Sequence, residues 1–145
     1  MKRLFVTLAI FAISLSSFAN PTDKVSAAAL TSFNNTFKNI TDVEWTVGDN
    51  FYKANFSLNG QYVNAFYDVN GEMLALTKNI SSTQLPLTLQ TNLKEQSKNF
   101  WIADLFEVAN NEGTTYYVTL ENGDTKLVLK SESNDWTTFK KIQKS

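Results

Sequence analysis

The stretch Tyr52-Lys53-Ala54-Asn55-Phe56-Ser57-Leu58-Asn59-Gly60-Gln61-Tyr62-Val63-Asn64-Ala65-Phe66-Tyr67-Asp68 decides the fold. Tyr52, Ala54, Phe56 and Leu58 alternate with Lys53, Asn55 and Ser57, the period of two that gives a strand two different faces. Asn59-Gly60 interrupts the alternation with a pair suited to the positive φ of a tight hairpin. Gln61 to Asp68 is then the returning strand. Upstream, Val43, Trp45 and Val47 alternate with Glu44 and Thr46, which adds a strand before the hairpin. Downstream, Asn70-Gly71 marks another turn and Glu72 to Asn79 a fourth strand. Ahead of all these, Val25, Ala29, Phe33, Phe37 and Ile40 recur at intervals of three or four. That spacing predicts a helix over Asp23 to Ile40, capped by Thr22 or Asp23.

The rest of the chain follows the same plan. Leu85, Leu89 and Leu93 are spaced by four, and Pro86 suits the first turn of a helix. Strands are expected at about Ile102 to Ala109, Thr115 to Glu121, Thr125 to Ser131 and Thr137 to Ile142. Asn122-Gly123 repeats the Asn59-Gly60 signal 63 residues later, and Asn134-Asp135 stands 64 residues after Asn70-Gly71. The expected fold is α+β and two-layered: a tandem repeat of one helix plus a four-stranded antiparallel meander, with both helices on one face of the sheet. The repeats cover about residues 23–80 and 85–142. Only Ser81-Ser82-Thr83-Gln84 lies between them, too short a linker for independent domains, so residues 20–145 read as one domain.

The chain has 145 residues, 43% hydrophobic and 19% charged, with no Cys and no His. Those two absences exclude disulfides, thiol nucleophiles, Cys/His zinc sites and His-based triads. A formal charge of −1 gives no whole-chain reason to expect nucleic acid. Lys2 and Arg3 precede an uncharged, mostly apolar stretch from Leu4 to Phe18, and Ser17-Phe18-Ala19 offers small residues at −3 and −1. This is the pattern of a signal peptide over residues 1–19, cleaved after Ala19. The mature chain is then expected to be periplasmic or secreted, without a membrane anchor and with a net charge of −3, since Lys2 and Arg3 are lost from thirteen basic residues against fourteen acidic ones.

Val43-Glu44-Trp45, Tyr52-Lys53-Ala54-Asn55-Phe56, Tyr67-Asp68-Val69-Asn70-Gly71 and Leu85-Pro86 follow the leader in an order that resembles the exported PepSY-like proteins of Bacteroidetes. These are related in fold to the β-lactamase inhibitor protein (BLIP). The resemblance covers about Asp23 to Ile142. It implies a tandem helix-plus-four-strand repeat, a periplasmic or secreted location and no catalytic motif. Asp135 departs from the glycine usual in the last hairpin. Inhibition of a hydrolase belongs to a relative in fold, so for this chain it follows from analogy alone.

The residues offer little catalytic chemistry. Asp42 and Glu44 stand two apart at a strand, and Asp68 and Glu72 flank a turn. The second pair is the candidate for a carboxylate-dependent glycan hydrolase, which needs two carboxylates at a fixed separation. Asp68-Val69-Asn70-Gly71 also resembles the opening of a calcium loop, but its glycine comes too early and no distal Glu follows in register. There is no nucleophile elbow and no Gly-rich phosphate loop. Lys140, Lys141 and Lys144 read as a solvated tail. Asn34, Asn39, Asn55 and Asn79 begin Asn-x-Ser/Thr triplets, which matter only in a glycosylating host. No enzyme, metal or cofactor is expected.

The remaining signal is aromatic. If Trp45, Tyr52, Phe56, Val63 and Tyr67 face the helices, the other face carries Phe51, Lys53, Asn55, Tyr62, Asn64 and Phe66, then Met73, Ala75 and Thr77, with Tyr117 and Thr119 from the second half. Aromatic anchors interleaved with Lys and Asn suit a protein-binding surface. The expected function is a non-enzymatic binding module for an envelope or secreted protein. A homodimer through this face, or rings that only stabilise neighbouring strands, are the alternatives.

Overall fold

Ser26, rather than Thr22 or Asp23, starts the first helix. In the computed structural model, which describes residues 21–145, Pro21–Lys24 make a single 3-10 turn closed by the Val25 N–H on the Thr22 carbonyl at 3.2 Å. The expected leader and its cleavage after Ala19 lie outside the described residues. The chain turns once before the helix, and the Ser26 hydroxyl then accepts the Ala29 N–H at 3.2 Å, so α1 spans Ala27–Thr36. It ends before the expected Ile40. Phe37 is its C-cap, and Asn39 takes a left-handed φ of 66°, which a short amide side chain tolerates.

Eight strands follow in an antiparallel sheet whose order is the order of the sequence. They are β1 (Glu44–Val47), β2 (Tyr52–Leu58), β3 (Gln61–Tyr67) and β4 (Met73–Asn79), then β5 (Trp101–Asn110), β6 (Gly113–Glu121), β7 (Thr125–Glu132) and β8 (Asp135–Gln143). The second helix, α2 (Leu87–Gln96), lies between β4 and β5 in the chain and is preceded by a 3-10 turn at Ser82–Gln84. Two compact units divide within β4, the first ending at Leu76 and the second starting at Thr77.

In the first unit, Phe33 of α1 is the hub of the core. Its ring meets Trp45 edge-on at 5.5 Å and Phe56 edge-on at 5.0 Å, and Phe37 closes the group at 4.7 Å from Phe56. Each such pair adds about 0.5–1.5 kcal/mol beyond the area it buries. Ala54, Val63, Ala65 and Tyr67 complete this core, so the helix covers the strand face that period-two reading assigned to it. In the β2–β3 hairpin Asn59 and Gly60 have φ of 53° and 77°, the expected two-residue turn with positive φ at both centres.

In the second unit Leu85, Leu89 and Leu93 pack on Leu105, Val118, Leu120, Leu129 and Trp136. Two turns there stand where the sequence places them but have other geometries. The Asn122-Gly123 turn has no positive φ; the Asn122 Oδ1 instead accepts the N–H groups of Asp124 and Thr125 at 2.9 and 2.8 Å. In the last hairpin Glu132 pairs with Asp135, so the turn residues are Ser133 and Asn134 rather than Asn134-Asp135. Ser133 takes the positive φ, 56°, at the first centre.

Candidate functional site

Cross-strand register builds the first unit's candidate face in rows. On the side of β1–β3 away from α1, Thr46 pairs with Lys53 and Lys53 with Phe66; Glu44 pairs with Asn55 and Asn55 with Asn64; Ser57 pairs with Tyr62. The expected strand phase is therefore correct for Lys53, Asn55, Tyr62, Asn64 and Phe66. The Asn55 Nδ2 donates to the Asn64 Oδ1 at 2.9 Å, fixing the polar row. Lys53 is half-buried, and burial lowers its ammonium pKa while the Glu44 carboxylate opposes that shift.

These side chains differ sharply in what they offer a partner. Tyr62 is 74% exposed, whereas Phe66 is only 4% exposed. Phe51 is half-buried with its ring 6.0 Å from that of Phe66, and it lies against Gly48, where a β-carbon would collide with it. Phe66 is thus a floor beneath the surface and Tyr62 a projecting ring. Met73 is half-buried and packs against the helix-side core, not among the residues expected on the other face.

The second unit buries its expected aromatic as well. Tyr117 is 1% exposed, stacked on Phe106 at 5.3 Å and met edge-on by Phe139 at 5.5 Å. Phe106 pairs directly with Tyr117 across β5–β6. Phe139 reaches the trio because the β7–β8 register shifts: Val128 pairs with Lys140 and Leu129 with Thr138, leaving Phe139 as the extra residue of a bulge. Tyr117 is a packed ring, not a contact surface. The exposed aromatic of this unit is Trp101, 54% exposed at the start of β5, a position left outside the expected strand.

Trp101 belongs to a charged group. The Lys144 Nζ stands 5.1 Å from its ring centroid and donates to the Glu121 Oε2 at 2.9 Å and the Asn122 carbonyl at 2.7 Å. Lys126 approaches the other Glu121 oxygen at 3.7 Å. The hydrogen bond from Lys144 is the main reason the Glu121 carboxyl lies below its usual pKa. Lys144 is therefore docked, contrary to the expected solvated tail.

Of the carboxylate pair, Asp68 has a structural use. The Asp68 Oδ1 accepts the N–H groups of Asn70 and Glu72, both at 2.9 Å, and so closes the β3–β4 turn. Asp42 precedes β1 rather than sharing it with Glu44. Among the described residues, no group of three or more His, Cys, Asp or Glu could hold a metal ion, and no helix is long and apolar enough to cross a membrane.

No protein-family model and no curated protein matches the chain. Solved structures do. It is similar to a BLIP-like protein from Bacteroides fragilis at 22% identity and a TM-score of 0.67, over 81% of this chain and 85% of that one. A DUF2874 family protein from Bacteroides ovatus aligns at 18% identity and a TM-score of 0.71, over 88% and 89% of the two chains. A candidate periplasmic protein from Bacteroides eggerthii aligns at 9% identity and a TM-score of 0.72, over 82% and 88%. The chain therefore has an α+β, BLIP-like fold.

Proposed function

We propose that the protein is an exported, non-enzymatic binding module that engages an envelope or secreted protein through the strand faces opposite its helices. The observation that carries the reading is the contrast between Tyr62 and its surroundings. A ring 74% exposed stands beside an amide pair locked at 2.9 Å, on the same strand face as the buried Phe66. A rigid floor, an ordered polar row and one projecting aromatic cost little entropy to dock, and such rings anchor interfaces. Lys53 and Asn64 add polar selectivity, and Phe51 extends the apolar floor.

The same reading takes the chain as a PepSY-like tandem repeat whose leader is cleaved after Ala19. The helix-then-four-strands order of both halves supports the repeat, and the likeness to a candidate periplasmic protein supports the location. Capture from envelope and secreted fractions, with Tyr62→Ala as parallel bait, tests the function. One stoichiometric partner lost with Tyr62→Ala is expected; equal capture by both baits overturns the site.

The BLIP-like fold favours a narrower version in which the partner is a hydrolase such as a β-lactamase or peptidase. Titration of the protein against such activities would show stoichiometric inhibition, and a flat response across the panel would eliminate it.

A further inference from the structure

We propose that Asn59 is a site of spontaneous deamidation, through which the tip of the β2–β3 hairpin acquires an aspartate or isoaspartate. The inference concerns this turn and stands whether or not the binding-module reading does. The chain has three Asn-Gly pairs, starting at Asn59, Asn70 and Asn122. In such a pair the glycine has no side chain to shield the nitrogen that follows the asparagine. The first pair joins the strands that carry Ser57 and Tyr62, which stand opposite each other.

The chemistry needs only these two residues and water. The Gly60 main-chain nitrogen gives its proton to a solvent base and attacks the Asn59 Cγ. A bond forms between that nitrogen and Cγ as the Cγ–Nδ2 bond breaks, and ammonia leaves a cyclic imide behind. Water then opens the ring at one of two bonds. Cleavage between the nitrogen and Cγ restores the main chain and leaves aspartate. Cleavage between the nitrogen and the Asn59 main-chain carbonyl carbon routes the chain through Cγ as isoaspartate. Either product adds one negative charge, and isoaspartate also lengthens a turn that holds only two residues between the paired Leu58 and Gln61.

The fold holds back the other two pairs. The Asn122 Oδ1 accepts the N–H groups of Asp124 and Thr125 at 2.9 and 2.8 Å, and its own N–H donates to the Thr125 carbonyl at 3.0 Å. Its amide is therefore committed to the turn. The Gly71 N–H, which would have to lose its proton, donates to the Asp68 carbonyl at 3.1 Å. A β-carbon on Gly71 would also stand 2.6 Å from the Ala28 main chain, so α1 blocks rotation of that turn. Neither restraint acts at Asn59. Among the described residues, its amide and the Gly60 N–H make no hydrogen bond, and both residues are exposed. Nothing lies within 4 Å of the place a Gly60 β-carbon would take, so the tip has room for Cγ to swing onto the nitrogen.

Folded protein held at mildly alkaline pH, sampled over time and mapped by peptide mass spectrometry, tests the ranking. Conversion at Asn59 should outpace that at Asn70 and Asn122 by about tenfold or more, since each slower site must first break a hydrogen bond or displace packed backbone. The same time course in concentrated urea is the reference, and there the three pairs should convert at similar rates. Ion exchange should resolve a more acidic species that accumulates in wild type and is lost in Asn59→Gln. Circular dichroism confirms that this variant is folded. Equal rates at the three pairs in the folded protein, or faster conversion at Asn70 or Asn122, overturns the proposal. A lead for Asn59 that persists unchanged in urea also overturns it, because the preference would then belong to the local sequence and not to the turn.

Discussion

The indole Nε1 of Trp136 donates to the main-chain carbonyl of Leu89 at 3.0 Å, a buried hydrogen bond that ties β8 to α2 across 47 residues of sequence. It satisfies the one polar atom of a side chain that otherwise only packs, and it fixes where the helix sits on the second unit's strands. Trp136→Phe should lose this bond and part of the buried area, destabilising the protein by about 1–3 kcal/mol. Urea denaturation followed by circular dichroism measures it; a change within 0.5 kcal/mol of zero, on the scale of about that seen for surface substitutions, would mean the bond holds little.

Two glycines with positive φ separate backbone cost from crowding. At Gly60, φ is 77° and a β-carbon would meet nothing within 4 Å. At Gly71, φ is 84° and a β-carbon would stand 2.6 Å from the main-chain carbon and oxygen of Ala28 in α1. Gly60→Ala should therefore cost only the left-handed conformation, about 1–2 kcal/mol. Gly71→Ala should cost more, because helix or turn must also shift. Paired denaturation curves test the order, and equal losses would show that the close approach is readily relieved.

Tyr67 has a fully buried side chain whose hydroxyl lacks a hydrogen-bond partner among the described residues, and burial pushes its pKa up to about 12. The raised value means that the folded state holds its proton above pH 10, where the unfolded chain has begun to lose it. Stability from this group is therefore intact below about pH 10 and falls as pH rises towards 12. Tyr67→Phe should be as stable as wild type near neutrality, since it removes an unpaired buried polar atom, and should unfold at higher pH in an alkaline titration. A clear loss of stability at pH 7 would show that the hydroxyl is paired in solution.

The Lys144–Glu121–Trp101 group should report its own titration. The Glu121 carboxyl lies below its usual value, so its contribution is present above the ordinary glutamate range and is lost as pH falls through the lowered one. Protonation weakens the hold on Lys144, whose Nζ lies 5.1 Å from the Trp101 centroid. Trp101 emission should change in acid with a midpoint below that of a free glutamate, and Glu121→Gln should abolish the transition. An unaltered titration in that variant would place the pH sensitivity elsewhere.

The order of elements was legible because it depends on local periods. Phe33 and Phe56 declare their faces by spacing, and Asn59-Gly60 declares a turn by its chemistry. What escaped depends on neighbours distant in sequence. No local feature of Tyr117 says that Phe106 and Phe139 cover it, and Phe139 arrives through a bulge that strict alternation has no means to foresee. Ser133 adopts a positive φ without being the glycine or asparagine that would announce it. Trp101 looked like a boundary residue because β5 begins one position earlier than its apolar alternation suggests.

Tyr62 and Phe66, four residues apart on β3 and on the same face, should separate binding from folding. Tyr62 is 74% exposed, so Tyr62→Ala removes contact area that the fold does not use and should change stability by less than about 0.5 kcal/mol. Phe66, 4% exposed and beside Phe51, is part of the packed floor, and Phe66→Ala should cost about 3–5 kcal/mol. The expected pattern is a fully folded Tyr62→Ala protein that no longer captures its partner and a Phe66→Ala protein that is measurably destabilised. Thermal denaturation alongside capture reads both axes. A destabilised Tyr62→Ala would show that the ring is needed by the sheet itself, and the case for a binding anchor at this position would fall with it.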